Sequence, residues 1–144
     1  MTHALPTPRR ADVVRRLYAD IEAGRHGDEL RGHFTPDAVT VVRPNALTPT
    51  GSTSDLPAML AASTAGARLL TEQHYHVHDV VEADDLVIVR LRWTGVVAVD
   101  AGPLRAGQEL TADIAQFVRV SGDRIAEIDT YDCYQPIGPE VRPS

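Results

Sequence analysis

The sequence predicts an α+β domain in which a curved antiparallel sheet wraps an apolar pocket. Two observations carry this. Hydrophobic residues recur at helical spacing in the first half of the chain, and the pattern changes to period two from residue 72 onward. The alternating half is interrupted at Ala83-Asp84-Asp85, Ala101-Gly102-Pro103 and Ser121-Gly122-Asp123, all residues that suit tight turns. Helices followed by an antiparallel meander are the order of an α+β fold.

Three helices are expected in the N-terminal half. Thr7 and Pro8 read as an N-cap and a first-turn proline. Residues 9–23 then place Val13, Val14, Leu17, Tyr18 and Ile21 on one stripe, and Gly24 ends the helix. A short second helix covers residues 28–33, with Leu30 and Phe34 on a shared face. The run AVTVVR, residues 38–43, is a first strand. The stretch PNALTPTGSTSD reads as loop. Asp55 or Ser54 caps a third helix, with Pro57 in its first turn. It runs to about Leu70 and turns Leu56, Met59, Leu60, Ser63 and Ala67 toward a flat partner. Four long strands follow, over residues 72–82, 86–100, 108–121 and 124–134. The whole chain, 1–144, is one domain with its core at about residues 8–135, a short N-terminal arm and a Pro-rich tail, PIGPEVRPS.

Composition excludes several function classes. The net charge of -6 disfavours binding to phosphate backbones, so no nucleic-acid partner is expected. All 14 basic residues are Arg, so Schiff-base chemistry on a lysine amine is absent. No phosphate-cradling glycine motif occurs. The one cysteine, Cys133, permits no internal disulfide. No apolar run is long enough to span a bilayer, and MTHALPTPRR lacks the apolar core of a secretory signal. A cytoplasmic protein without membrane contact is the expectation.

Alternation assigns the strand faces. Val87, Val89, Leu91 and Trp93 face inward, with Ile88, Arg90 and Arg92 opposite. In the last strand Ile128, Thr130 and Asp132 share the inward face, opposite Asp129, Tyr131 and Cys133. Asp132 therefore stands either at the pocket mouth, where burial would raise its pKa and let it move a proton, or in solvent beyond the strand end. Gln116, between Ile114 and Val118 on one face, hydrogen-bonds either a substrate carbonyl or a neighbouring side chain. Tyr18 either donates its phenol into the cavity or fills the core. Asp132, Gln116 and Tyr18 form the candidate catalytic set. Trp93, Leu91, Ile114, Thr130, Phe34 and Met59 are the candidate substrate-binding residues. His74, His76 and His78 share one strand face at HxH spacing. That pattern can hold a metal but reads better as a solvated or subunit-facing surface, so no metal and no cofactor are expected.

Three segments carry a family resemblance: VVRRLYADIEAG with HFTPDAV, ADDLVIVRLRWTG, and FVRVSGDRIAEIDTYDCY. They resemble the opening helices and first strand, the central strand and the closing hairpin of the cone-shaped α+β barrel superfamily. That group holds ketosteroid isomerase, scytalone dehydratase, limonene epoxide hydrolase, SnoaL-type polyketide cyclases and nuclear transport factor 2. The resemblance implies a cone-shaped barrel and often a homodimer. It also implies a cofactor-free cyclase or isomerase acting on a hydrophobic, polyketide-derived small molecule. The sequence departs from the ketosteroid pattern: Val42 or Arg43 stands where the general-base Asp belongs, and Gln116 where an oxyanion-hole Asp does. Tyr18 adjoins the position of that family's phenol. The hydrolase triad is also missing in register, where Leu91, Trp93 and Thr130 occupy its positions. Two other readings stay open: a non-catalytic ligand-binding or protein-docking module, and an epoxide hydrolase using Arg90 or Arg92 if those side chains point inward.

Overall fold

A computed structural model describes residues 9–137. The expected Thr7–Pro8 cap, the arm and most of the tail lie outside the described residues. Helix α1 spans Arg10–Glu22 and buries Val13, Val14, Leu17 and Tyr18. Arg9 holds its N-cap position without a side-chain bond, and Glu82 substitutes from a distant strand: its Oε1 accepts the Ala11 N–H at 2.7 Å. A carboxylate there satisfies a free helix donor and complements the helix dipole. Gly24, at φ +86°, turns the chain out of the helix.

A 3-10 helix over Gly27–His33 buries Leu30. It is tied to the second α-helix, α2 (Leu56–Leu69), by Gly27 N–H to Ser63 Oγ at 2.8 Å and by His26 Nδ1 to Thr64 Oγ1 at 3.0 Å. Asp55 caps α2, accepting the Ala58 N–H at 3.0 Å, and Leu56 and Leu60 are its buried residues.

Six strands form one sheet: β1 Phe34–Val42, β2 Ser52–Asp55, β3 Leu70–Ala83, β4 Leu86–Val97, β5 Glu109–Ser121 and β6 Arg124–Tyr134. Their order is β2-β1-β6-β5-β4-β3, with β2 and β3 as the two edges of an unclosed, curved sheet. Three features differ from expectation. The sheet is mixed, because β1 runs parallel to β6, Val39 facing Glu127 and Val42 facing Thr130. The region read as loop contains β2, which pairs Val39 with Asp55 through Val42 with Ser52. Before it, Asn45 Oδ1 accepts the N–H groups of Leu47 and Thr48 at 2.9 and 2.8 Å, making a side-chain-stabilised turn. Finally, β4 stops at Val97, short of the expected Asp100. The Asp100 carboxylate instead accepts the Ala106 N–H at 2.9 Å and organises the connection to β5.

The inward faces are those read from alternation. Val87, Val89, Leu91 and Trp93 are buried with Leu110, Ala112, Ile114, Val118, Ile125 and Ile128, under α1 and α2. The convex face carries exposed ion pairs, Arg90–Asp79 at 2.6 Å, Arg92–Asp113 at 3.0 Å and Arg119–Asp85 at 3.0 Å. The His74, His76 and His78 side chains are exposed on it.

Candidate active site

Register brings the polar candidates together. Across β5 and β6, Gln116 faces Thr130 and Ile114 faces Asp132. Tyr18 reaches them from the middle of α1. The Tyr18 hydroxyl donates to Gln116 Oε1 at 2.5 Å, Gln116 Nε2 donates to Thr130 Oγ1 at 3.1 Å, and the Thr130 hydroxyl donates to Asp132 Oδ1 at 2.6 Å. Every donor in this chain points the same way, toward the carboxylate. Tyr18 and Thr130 are both 5% exposed, so each bond is shielded from water and leaving one unmade would be costly.

Asp132 lies in the wall between two adjoining chambers of about 550 and 320 Å3, a usual size for a small-molecule site. Ile21, Leu47, Ser63, Gly66, Tyr75 and Tyr134 share that wall. The larger chamber extends between the helices and β1–β2, and is lined by Leu17, Phe34, Met59, Leu60 and Ile128. The smaller extends over Trp93, Leu110, Ile114 and Gln116.

The predicted residues divide between wall and support. Asp132, Phe34, Met59, Trp93, Ile114 and Gln116 line one chamber or both. Tyr18, Thr130 and Leu91 line neither. Tyr18 and Thr130 act on the cavity through Gln116 and Asp132, and Leu91 is buried in the core at 1% exposure. Gln116 is committed at both ends of its amide to protein partners. Trp93 is held edge-on to Tyr134, ring centroids 6.3 Å apart, and its indole N–H donates to Gln73 Oε1 at 3.0 Å. Gly95 makes this placement possible, since a Cβ there would lie 2.6 Å from the indole ring.

Asp132 is the one sequence candidate in the shared wall, and the two aromatic residues beside it were not among the candidates. Tyr75 stacks on Tyr18 with ring centroids 4.6 Å apart and planes 9° from parallel. Tyr134 follows Asp132 on the same strand face. Both were signalled by alternation: Tyr75 sits between the outward histidines of HYHVH, and Tyr134 continues the series Ile128, Thr130, Asp132.

Burial sets the protonation of the group. It raises the Asp132 pKa above the ordinary aspartate value, partly opposed by the Thr130 hydroxyl bond. Burial, then the Asp132 charge, pushes the Tyr134 phenol up to about 12. Tyr75 is raised by the same two causes, and Tyr18 by burial first and Tyr75 second. The phenols thus stay protonated and can donate, while Asp132 is the group able to exchange a proton. Among the described residues no cluster of His, Cys, Asp and Glu has the arrangement of a metal site.

A helix-covered curved sheet with a lined cavity at its concave face defines the class: a small α+β pocket protein. Residues 14–128 match the SnoaL-like domain model, and the chain belongs to that family. Solved structures with the same fold include IdmH of Streptomyces antibioticus, described as "a putative polyketide cyclase". It is 24% identical, with 87% of this chain and 92% of that one covered and a TM-score of 0.71. AclR of Streptomyces galilaeus, described as "a putative hydroxylase", is 14% identical over 88% and 80% of the two chains, with a TM-score of 0.70. A protein of Catenulispora acidiphila with a ketosteroid isomerase-like fold is 17% identical over 88% and 86%, with a TM-score of 0.66. No protein with a curated description is significantly similar. Neighbours with such different names establish the fold and leave the reaction to the site.

Proposed function

We propose that this protein is a cofactor-free cyclase or isomerase acting on a hydrophobic, polyketide-derived small molecule. The observation that carries the reading is Asp132. It is a half-buried carboxylate in the wall shared by both chambers, oriented by the Thr130–Gln116–Tyr18 chain and flanked by two protonated phenols. Such a set suits proton transfer at a carbon acid. The carboxylate takes the proton, the C–H electron pair moves into the adjacent carbonyl, and Tyr75 or Tyr134 donates to the resulting enolate oxygen. Returning that proton at a second atom completes an isomerisation. Attack of the enolate on a second carbonyl, with the proton delivered to the new alkoxide, closes a ring. Cycloaddition and epoxide opening are equally atom-neutral, and the apolar chambers would serve any of the three by folding the substrate.

The hydrolase alternative using Arg90 or Arg92 is not favoured, since both side chains lie on the convex face in exposed ion pairs. A binding module without chemistry would need no proton-exchanging group in its wall. Pairing of convex faces into a homodimer belongs to the same proposal, supported by exposed Phe117 and Tyr131, whose rings pack edge to face at 5.8 Å. So does a cytoplasmic setting, supported by the single, exposed Cys133.

The test is turnover of a panel of poly-β-ketone-derived ring precursors and polyenes, followed by mass spectrometry and with no cofactor added. Wild type should yield an isomer of equal mass, and Asp132→Asn should slow its formation by about 10²-fold or more. Full activity in Asp132→Asn would overturn the assignment.

A further inference from the structure

The two chambers differ in charge. Among the described residues the larger has one charged residue in its lining, Asp132. The smaller has a second, Arg25, just beyond the C-terminal end of α1. Its backbone is fixed there: the Arg25 N–H donates to the Asp20 carbonyl at 3.0 Å, behind the turn at Gly24. Its side chain is held loosely. Arg25 Nε lies 3.6 Å from Asp20 Oδ1, beyond hydrogen-bond range, while Asp20 Oδ2 is engaged by His33 Nε2 at 2.6 Å. The nearest carboxylate is therefore bound mainly to another partner. The neighbouring Glu22 is committed too, its Oε1 accepting the Tyr75 N–H at 2.6 Å. Arg25 contributes to the lining of a largely apolar chamber, and its side chain is 57% exposed, with guanidinium donors to spare.

We propose that Arg25 determines substrate specificity and orientation. The limb of the substrate that enters the smaller chamber ends in a carboxylate, which pairs with Arg25. The reacting carbonyl then falls at Asp132, and the apolar limb fills the larger chamber. Two physical facts favour this direction of binding. A guanidinium matches a carboxylate through two parallel N–H bonds. An acid placed in the other chamber would meet only the like charge of Asp132. The substrate class is thus an elongated apolar acid with its reactive oxygen at mid-length. This rests on the cavity being a small-molecule site.

The test uses anthraquinone-2-carboxylate, whose ring carbonyls lie inside the molecule and whose acid lies at one end, beside its methyl ester. Binding is read by quenching of Trp93, the sole tryptophan, which lines the smaller chamber, and by calorimetry. The acid should bind wild type about ten-fold more tightly than the ester at low salt, an advantage that shrinks as salt rises. Arg25→Gln should abolish the difference and leave ester affinity unchanged, which also shows that the variant folds. Equal affinities in wild type, or an acid preference that survives Arg25→Gln, would overturn the role of Arg25 and leave the cavity reading standing. Heat of binding without Trp93 quenching would do the same, because the probe would lie outside the smaller chamber. Failure of both probes to bind at millimolar concentration would sink the cavity reading and this inference with it.

Discussion

Replacing Gln116 with Leu tests whether the polar chain behind Asp132 is a working unit. The substitution keeps the volume of the side chain and deletes both of its hydrogen bonds. The Tyr18 hydroxyl, in a residue 5% exposed, loses its acceptor and is left unpaired, at about 1–3 kcal/mol. The Thr130 hydroxyl loses a donor but keeps Asp132 as acceptor, a smaller loss of about 0.5–1.5 kcal/mol. Leu no longer has an amide to desolvate, which returns about 1–2 kcal/mol. The net expectation is a destabilisation of about 1–3 kcal/mol, or a Tm lower by roughly 3–10 °C for a domain of this size. Urea unfolding followed by Trp93 fluorescence gives the free energy, and an unchanged slope shows that the denatured state is unaltered. Tyr18→Phe keeps the stack on Tyr75 and removes only the hydroxyl. In the Gln116→Leu background it should cost nothing further and should relieve the orphaned group, giving a coupling of about 0.5–3 kcal/mol in a double-mutant cycle. Two single variants each within about 0.5 kcal/mol of wild type, with additive effects, would refute the chain as a structural unit.

Asp132→Asn should show a pH signature in stability as well as a loss of turnover. The folded protein holds the Asp132 proton more tightly than the unfolded chain does. Stability is then greatest below the ordinary aspartate pKa and falls as pH rises through the elevated folded value. Asn carries no such penalty, so its Tm should exceed that of wild type near neutral pH, with the advantage vanishing at pH about 3–4; a Tm difference that is flat with pH would contradict the burial argument. Gly95→Ala should force the indole off its seat, because the new Cβ would meet the ring at 2.6 Å while Gln73 and Tyr134 hold it from other sides. The expected result is a red-shifted, more quenchable Trp93 emission and a loss of about 1–3 kcal/mol; unchanged emission and stability would show the ring to be free to move.

Much of the fold follows from local pattern. Period-two alternation placed Val87, Val89, Leu91 and Trp93 inward, and Asp55 with Pro57 marked the start of α2, because each signal acts over a few neighbouring residues. The parallel pairing of β1 with β6 has no such signal. Alternation is the same for either strand direction, and the two strands are separated in sequence by one helix and four other strands. The strand β2 was unreadable for a different reason: STSD is short, polar and held mainly by backbone bonds to β1. At the site, HYHVH drew notice for its histidines, yet the period that puts them outside also puts Tyr75 inside.

What joins these pieces into a site is register. Gln116 meets Thr130 because β5 and β6 pair at that step, and Thr130 meets Asp132 because they are two residues apart on one face. A one-residue slip of β6 would turn Asp129, Tyr131 and Cys133 toward the cavity and send Thr130 and Asp132 to the convex side. The slip would also expose Ile128, pull Asp129 from its bidentate partner Arg43, and lose Tyr131 its contact with Phe117. The convex-face contacts and the buried apolar residues therefore select the same pairing that assembles the polar chain. The carboxylate is held in the cavity wall by forces that make no use of its chemistry, so it can be desolvated there without the strand escaping to relieve it.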